Sequence, residues 1–128
     1  MELNYKQLST MVHLRYHQVR AITNQCGPRD KCGKLKKNIN MSEMAALFSI
    51  CTMVQELGCS PASFREHADK FYNFFSSKDP IELANAQNKL TIELVTNPRA
   101  TKGRSGSAIK LEIDAKHIME TMYHRMWS

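Results

Sequence analysis

The sequence predicts a mainly α fold with a small β component, and three patterns carry that prediction. Apolar residues recur at three- and four-residue spacing through residues 45–57. Two segments near residues 90 and 110 alternate apolar and polar side chains around a turn-rich tract, as strands of a hairpin do. The apolar phase of the first 25 residues breaks near His13 and Leu14, which separates two short helices. With 128 residues, 42% hydrophobic and 23% charged, the chain lies in the globular range and is long enough for one modest core. No apolar run approaches the roughly 20 residues of a membrane-spanning helix, and the N-terminus lacks the basic-then-apolar layout of a signal peptide, so a cytoplasmic protein with no membrane partner is expected.

Each element has its own signal. Leu8, Met11 and Val12, then Val19 and Ile22, belong to the two short helices on either side of the break. Residues 26–38 place Gly27, Pro28 and Gly33 among charged side chains, punctuation that ends a helix and makes an exposed, hairpin-like loop. Asn40 or Ser42 then caps a helix carrying Ala45, Ala46, Leu47, Ile50, Cys51, Val54 and Leu57, which stops at Gly58. Ser60 followed by Pro61 caps and starts the next helix, whose stripe of Phe64, Ala68, Phe71, Tyr72 and Phe75 packs against the first. At this spacing the aromatic and methionine residues read as core, and no cofactor is expected.

Asp79-Pro80 starts a short helix to about residue 87. Leu90, Ile92 and Leu94 then alternate with Thr91, Glu93 and Val95, and Ile109, Leu111 and Ile113 with Lys110 and Glu112. The intervening residues 97–107 are a basic, flexible tip, where Arg99, Lys102 and Arg104 are a candidate second contact for a polyanion or a solvated loop. Asp114 caps a last helix with Ile118, Met122 and either Met119 or Met126 on its apolar stripe, ending at Trp127. The division expected is 1–77 as one domain and 78–128 as a hairpin-plus-helix accessory or dimerisation region.

Charge is unevenly spread. Residues 1–40 carry eight Lys and Arg against two acidic residues, whereas residues 41–100 carry five against seven. A positive segment on a neutral body suits a protein that meets phosphates with one face, because each neutralised phosphate releases condensed counterions. A merely solvated basic surface is the alternative.

Other chemistries find little in the sequence. Cys26, Cys32, Cys51 and Cys59 are expected as free thiols in a reducing compartment. His13 and His17 have the spacing of one helical face and lie near Cys26 and Cys32, but a C-x5-C spacing around a charged loop is a poor zinc signal, and no metal site is expected. No nucleophile with a base, no paired carboxylates and no phosphate loop stand out. Gly103-Arg-Ser-Gly106 lacks both spacing and setting, and His117 and His124 read as surface or packing residues. No catalytic residue is therefore assigned, and the chain is not expected to be an enzyme.

A helix-turn-helix needs a small residue on its first helix, a turn residue four positions on, an apolar residue next, and another about five further. Ser9, His13, Leu14 and Val19 hold those places, with Leu8 before and Arg20 after. A basic loop follows, then Asn-Ile-Asn-Met-Ser-Glu-Met-Ala-Ala-Leu from residue 38, then Leu57-Gly58-Cys59-Ser60-Pro61. In this order the segments resemble the winged helix-turn-helix DNA-binding domain of the mercury-resistance-regulator (MerR-like) superfamily, which includes excisionase-like proteins. The resemblance covers residues 3–75 and is most specific at the Asn40 to Glu43 cap and the Leu57-to-Ser60 corner. His13 stands where the family often has glycine, a position where a β-carbon makes positive φ costly.

The resemblance implies a winged helix-turn-helix over residues 3–75; family members commonly end in a dimerising helix, in place of which this chain has the β-hairpin and C-terminal helix read from its own pattern. It implies a recognition helix over residues 15–24 presenting Arg15, Tyr16, Gln18, Arg20 and Thr23 to the major groove, and a wing whose Arg29, Lys31, Lys34, Lys36 and Lys37 grip phosphates. Arginine reads guanine and glutamine reads adenine bidentately, while tyrosine donates to phosphate. The expected function is sequence-specific binding of double-stranded DNA, in transcription regulation or as an excisionase-like architectural factor, by a homodimer, since one short helix reads few base pairs. The rival is a protein-interaction adaptor whose basic surface meets RNA or an acidic partner. An exposed apolar patch over residues 44–75 favours the adaptor, and a helix standing clear beside a basic loop favours DNA.

Overall fold

The computed structural model describes residues 3–95 and 108–127. Its order is α1 (Tyr5–Val12), α2 (Tyr16–Cys26), α3 (Met41–Leu57), a 3-10 helix (Pro61–His67), α4 (Ala68–Ser76), α5 (Pro80–Asn85), β1 (Lys89–Val95), β2 (Ala108–Asp114) and α6 (Ala115–Trp127). The fold is mainly helical with one two-stranded antiparallel hairpin followed by the C-terminal helix. No helix among the described residues is long and apolar enough to cross a membrane.

Helix starts follow local chemistry. Asn4 and Gln7 form a reciprocal capping box on α1, and Asn40 and Glu43 form another on α3, each satisfying two backbone donors that the first helical turn leaves unpaired. Asp79 caps α5 through the Ile81 amide at 2.9 Å, and the Asp114 carboxylate accepts from the Lys116 amide at 3.1 Å as α6 begins. Helix α3 ends at Gly58 with φ +63, where the missing β-carbon removes the left-handed penalty. Residues 44–51 of α3 are buried on every face, so α3 is the central rod of the core. Ser49, buried among them, donates to the Ala45 carbonyl at 3.0 Å and so leaves no polar group unsatisfied.

The segment after Ser60 departs from a continuous α-helix. It opens as the 3-10 helix, with the Ser63 amide donating to the Ser60 carbonyl at 3.0 Å, and becomes α-helical at Ala68. The tighter winding sets this segment beside α2, where the Cys26 thiol donates to the Pro61 carbonyl at 3.4 Å, and still buries Phe64 with Phe71 and Phe75. Phe64 and Phe71 meet edge to face at 6.1 Å between ring centres.

The hairpin pairs Leu90 with Ile113, Ile92 with Leu111 and Leu94 with Ile109, so the period of two puts these six side chains on one face. Ile92, Leu94 and Ile113 are buried there, and the opposite face carries the exposed Lys89–Glu112 ion pair at 3.4 Å. Helix α6 buries Ile118, Met119 and Met122, packing on α1, α3 and α5. Its Arg125 donates to the Met11 carbonyl at 2.6 Å and lies 5.5 Å over the Phe48 ring, so α6 closes the core behind α1. One hydrophobic core runs from Leu3 to Met122, across residue 77. The four cysteines are free thiols. Burial pushes the Cys51 thiol up to about 12, with Cys26 adding to the effect, and it behaves as a small core hydrophobe.

Candidate nucleic-acid interface

Helix α1 stops because His13 takes the left-handed conformation, φ 57 and ψ 35, with its amide donating to the Ser9 carbonyl. A β-carbon does not prevent this turn. Ser9 supports it twice, donating from Oγ to the Leu14 carbonyl at 2.5 Å and accepting the Leu14 amide at 3.3 Å. After this turn Val19, Ile22 and Cys26 lock α2 onto the core. Because His13 belongs to the turn and His17 to α2, the two imidazoles do not share a helical face. Among the described residues no three His, Cys, Asp or Glu side chains gather as a metal site.

The loop after α2 is a small hairpin with an Arg29–Leu35 bridge. Its tip is organised by Asp30, whose carboxylate accepts the Cys32 and Lys34 amides at 2.8 and 3.0 Å, while Gly33 supplies the positive φ of 79° that the turn requires. Its root is anchored three ways. The Lys36 amide donates to the Pro28 carbonyl, the Tyr5 hydroxyl donates to the Lys36 carbonyl, and Leu35 packs so tightly over Gly27 that a β-carbon there would lie 2.3 Å from Leu35 Cδ1. Burial, reinforced by Glu43 and partly opposed by Arg29, pushes the Tyr5 hydroxyl up to about 12, so it stays a donor. On the far side the Tyr72 hydroxyl donates to the Cys26 carbonyl at 2.6 Å, and burial raises its pKa.

The sequence-expected residues are placed unequally. Arg15, Tyr16, Gln18 and Arg20 are exposed on α2 or at its cap. Gln18, however, spends its Oε1 on the Arg15 amide at 2.9 Å, closing the first turn of the helix. Thr23 is corrected outright. It is 1% exposed and donates to the Arg20 carbonyl at 3.2 Å, because a residue four after Val19 and three before Cys26 falls in the buried sector. In the loop Lys31, Lys34 and Lys37 are exposed. Arg29 is exposed too, but its guanidinium donates to the Asn24 carbonyl at 2.8 Å and ties the hairpin to the last turn of α2. Lys36 is half-buried in an ion pair with Glu43 at 2.9 Å, so it braces the loop against α3. Arg99, Lys102 and Arg104 lie outside the described residues.

A groove of about 410 Å³ runs between the start of α1, α2 and the returning strand of the loop, lined by Asn4, Tyr5, Lys6, Tyr16, Arg20, Leu35, Lys36 and Lys37. Four cationic side chains from three separate stretches of sequence thus meet around two tyrosines, one of them, Tyr16, 49% exposed. Lys6 was not assigned from sequence, although it contributes to the N-terminal charge excess. The outward sector of α2 also holds His17, Ala21 and Asn24, all exposed. Counting helical phase from Val19, Ile22 and Cys26 finds these three, since they lie opposite the buried anchors.

No protein-family model, curated protein or solved structure matches this chain.

Proposed function

We propose that the chain binds double-stranded DNA with α2 in the major groove and the basic loop, acting as a wing, on the phosphates beside it, in the manner of a sequence-specific regulator. The observation that carries this reading is the groove in which Lys6 and Lys37 gather beside Tyr16, with Arg20 where that groove meets the exposed sector of α2. Cations of this kind neutralise phosphates, and tyrosine donates to phosphate oxygens, while a polar helix face next to them reaches base edges. A homodimer doubles the reading of one short helix and matches an inverted repeat. The adaptor reading has less support. Residues 44–75, where it needs an apolar patch, expose Leu57 as their large hydrophobic side chain, at 37%.

Selection from a random duplex pool at physiological salt, followed by titration of the enriched sequence against a scrambled one, tests the proposal. The expected result is an enriched motif, arranged as an inverted repeat, bound more tightly than the scramble and with a steep salt dependence. Absence of duplex binding at any salt concentration overturns it.

A further inference from the structure

We infer that Arg20 and Asn24 are the residues that discriminate bases, and that the recognised half-site places a G·C pair and an A·T pair about two base-pair steps apart. This rests on the duplex-DNA reading of the same face and adds which side chains read and what they read.

Elimination does the first part of the work. Gln18 spends its Oε1 on its cap and Thr23 is buried, while Tyr16, which lines the groove beside Lys6 and Lys37, has a single hydroxyl and suits a phosphate oxygen better than a base edge. Arg15 is the N-cap, with extended backbone ahead of the helical sector, which leaves Arg20, where the groove meets the outward face, and Asn24, one helical turn further on, with Ala21 beside them. Both have a planar fork, arginine matching the O6 and N7 acceptors of guanine and asparagine the N6 donor and N7 acceptor of adenine. His17, the other polar residue of this sector, has no such two-point match.

Placement does the rest. Four residues of α-helix advance about 6 Å, and successive base pairs about 3.4 Å, so side chains at i and i+4 meet pairs about two steps apart when the helix follows the groove. The small Ala21 lets the backbone come close enough for the short asparagine side chain to reach an edge. Arg29, donating to the Asn24 carbonyl at 2.8 Å, fixes this last turn relative to the loop, so the phosphate grip and the reading position are set in one frame.

The test repeats the duplex selection with the wild-type chain and with Arg20→Lys, Arg20→Ala, Asn24→Ala and Gln18→Ala, each first checked for an unchanged melting temperature. Arg20→Lys keeps the charge but loses the fork. The wild-type motif is expected to contain guanine and adenine two steps apart. Arg20→Lys should erase the guanine preference while retaining affinity for arbitrary duplex, Asn24→Ala should erase the adenine preference alone, and Gln18→Ala should leave the motif intact. Each erased preference should amount to roughly 5- to 150-fold. A wild-type motif that survives both substitutions, that changes with Gln18→Ala, or that is replaced by equal binding of all duplexes overturns the assignment of readers while leaving duplex binding in place. Failure of the wild-type chain to bind any duplex overturns the underlying reading as well.

Discussion

The chain builds two hairpins by opposite means. Between β1 and β2, seven residue pairs stand in register and one face is sealed onto the core by Ile92, Leu94 and Ile113. The loop after α2 forms an isolated bridge, and its shape comes from side chains holding backbone: Asp30 at the tip, Tyr5 at the root, and Leu35 seated on Gly27. The buried side chains of the first hairpin, Ile92, Leu94 and Ile113, are committed to folding. Anchoring at its two ends releases Lys31, Lys34 and Lys37 of the second from structural duty, so they are available to meet an anion.

The largest effect should come from breaking the buried hairpin. Leu94→Ala removes a fully buried side chain and should cost about 2–5 kcal/mol in urea unfolding; a cost below about 1 kcal/mol would mean that burial does not hold this hairpin. Gly27→Ala places a β-carbon 2.4 Å from the Thr23 carbonyl oxygen as well as against Leu35. It should cost about 1–3 kcal/mol, with hydrogen exchange rising in residues 28–37 and not in β1 or β2. Faster exchange in both hairpins alike would erase the distinction between them.

Tyr5→Phe should cost about 1 kcal/mol at pH 7 by removing its hydrogen bond to the loop. The same residue gives the loop an alkaline limit. An unfolded tyrosine ionises near its ordinary value of 10.0, whereas Tyr5 in the fold keeps its proton to about 12. Its contribution is therefore complete below pH 10 and declines as pH rises from 10 towards 12. Thermal melts across that window should fall more steeply for the wild type than for Tyr5→Phe, and parallel curves would mean that Tyr5 does not set the alkaline limit. Smallest in stability should be Lys31→Ala and Lys34→Ala, each within about 0.5 kcal/mol. In DNA titrations, each phosphate that goes unneutralised in the variant should make the slope of log affinity against log salt shallower by about 0.9. An unchanged slope would place that lysine away from the DNA backbone.

Much of the fold was legible because its signals are local. Asn40 with Glu43, Gly58, and Ser60 before Pro61 are contacts or conformations within a few residues, and the alternation around Ile92 and Leu111 states its own buried face. The 3-10 opening at Pro61 was not, since it depends on how this segment meets α2. For the site, the helix, the loop and most exposed cations were legible. Thr23 was misread by attending to its polarity instead of its phase, and the same counting that buries it exposes His17, Ala21 and Asn24. The pairing of Lys36 with Glu43 had no sequence signal, because it follows from the path by which the loop returns to α3. Lys6 was hidden for a similar reason, lying far in sequence from the residues whose groove it shares.

The hydrogen bond from Arg125 to the Met11 carbonyl spans 114 positions of chain. During synthesis at about 5–20 residues per second, roughly 6–23 s separate the two partners. Once residues 29–48 have emerged, and until α6 follows, the nascent chain displays its cation-rich segment with the back of α1 and the Phe48 ring uncovered by α6. Closure of the core behind the cationic face therefore waits on the arrival of α6, and a chain cut before Ala115 should be digested by protease more readily than one that carries α6.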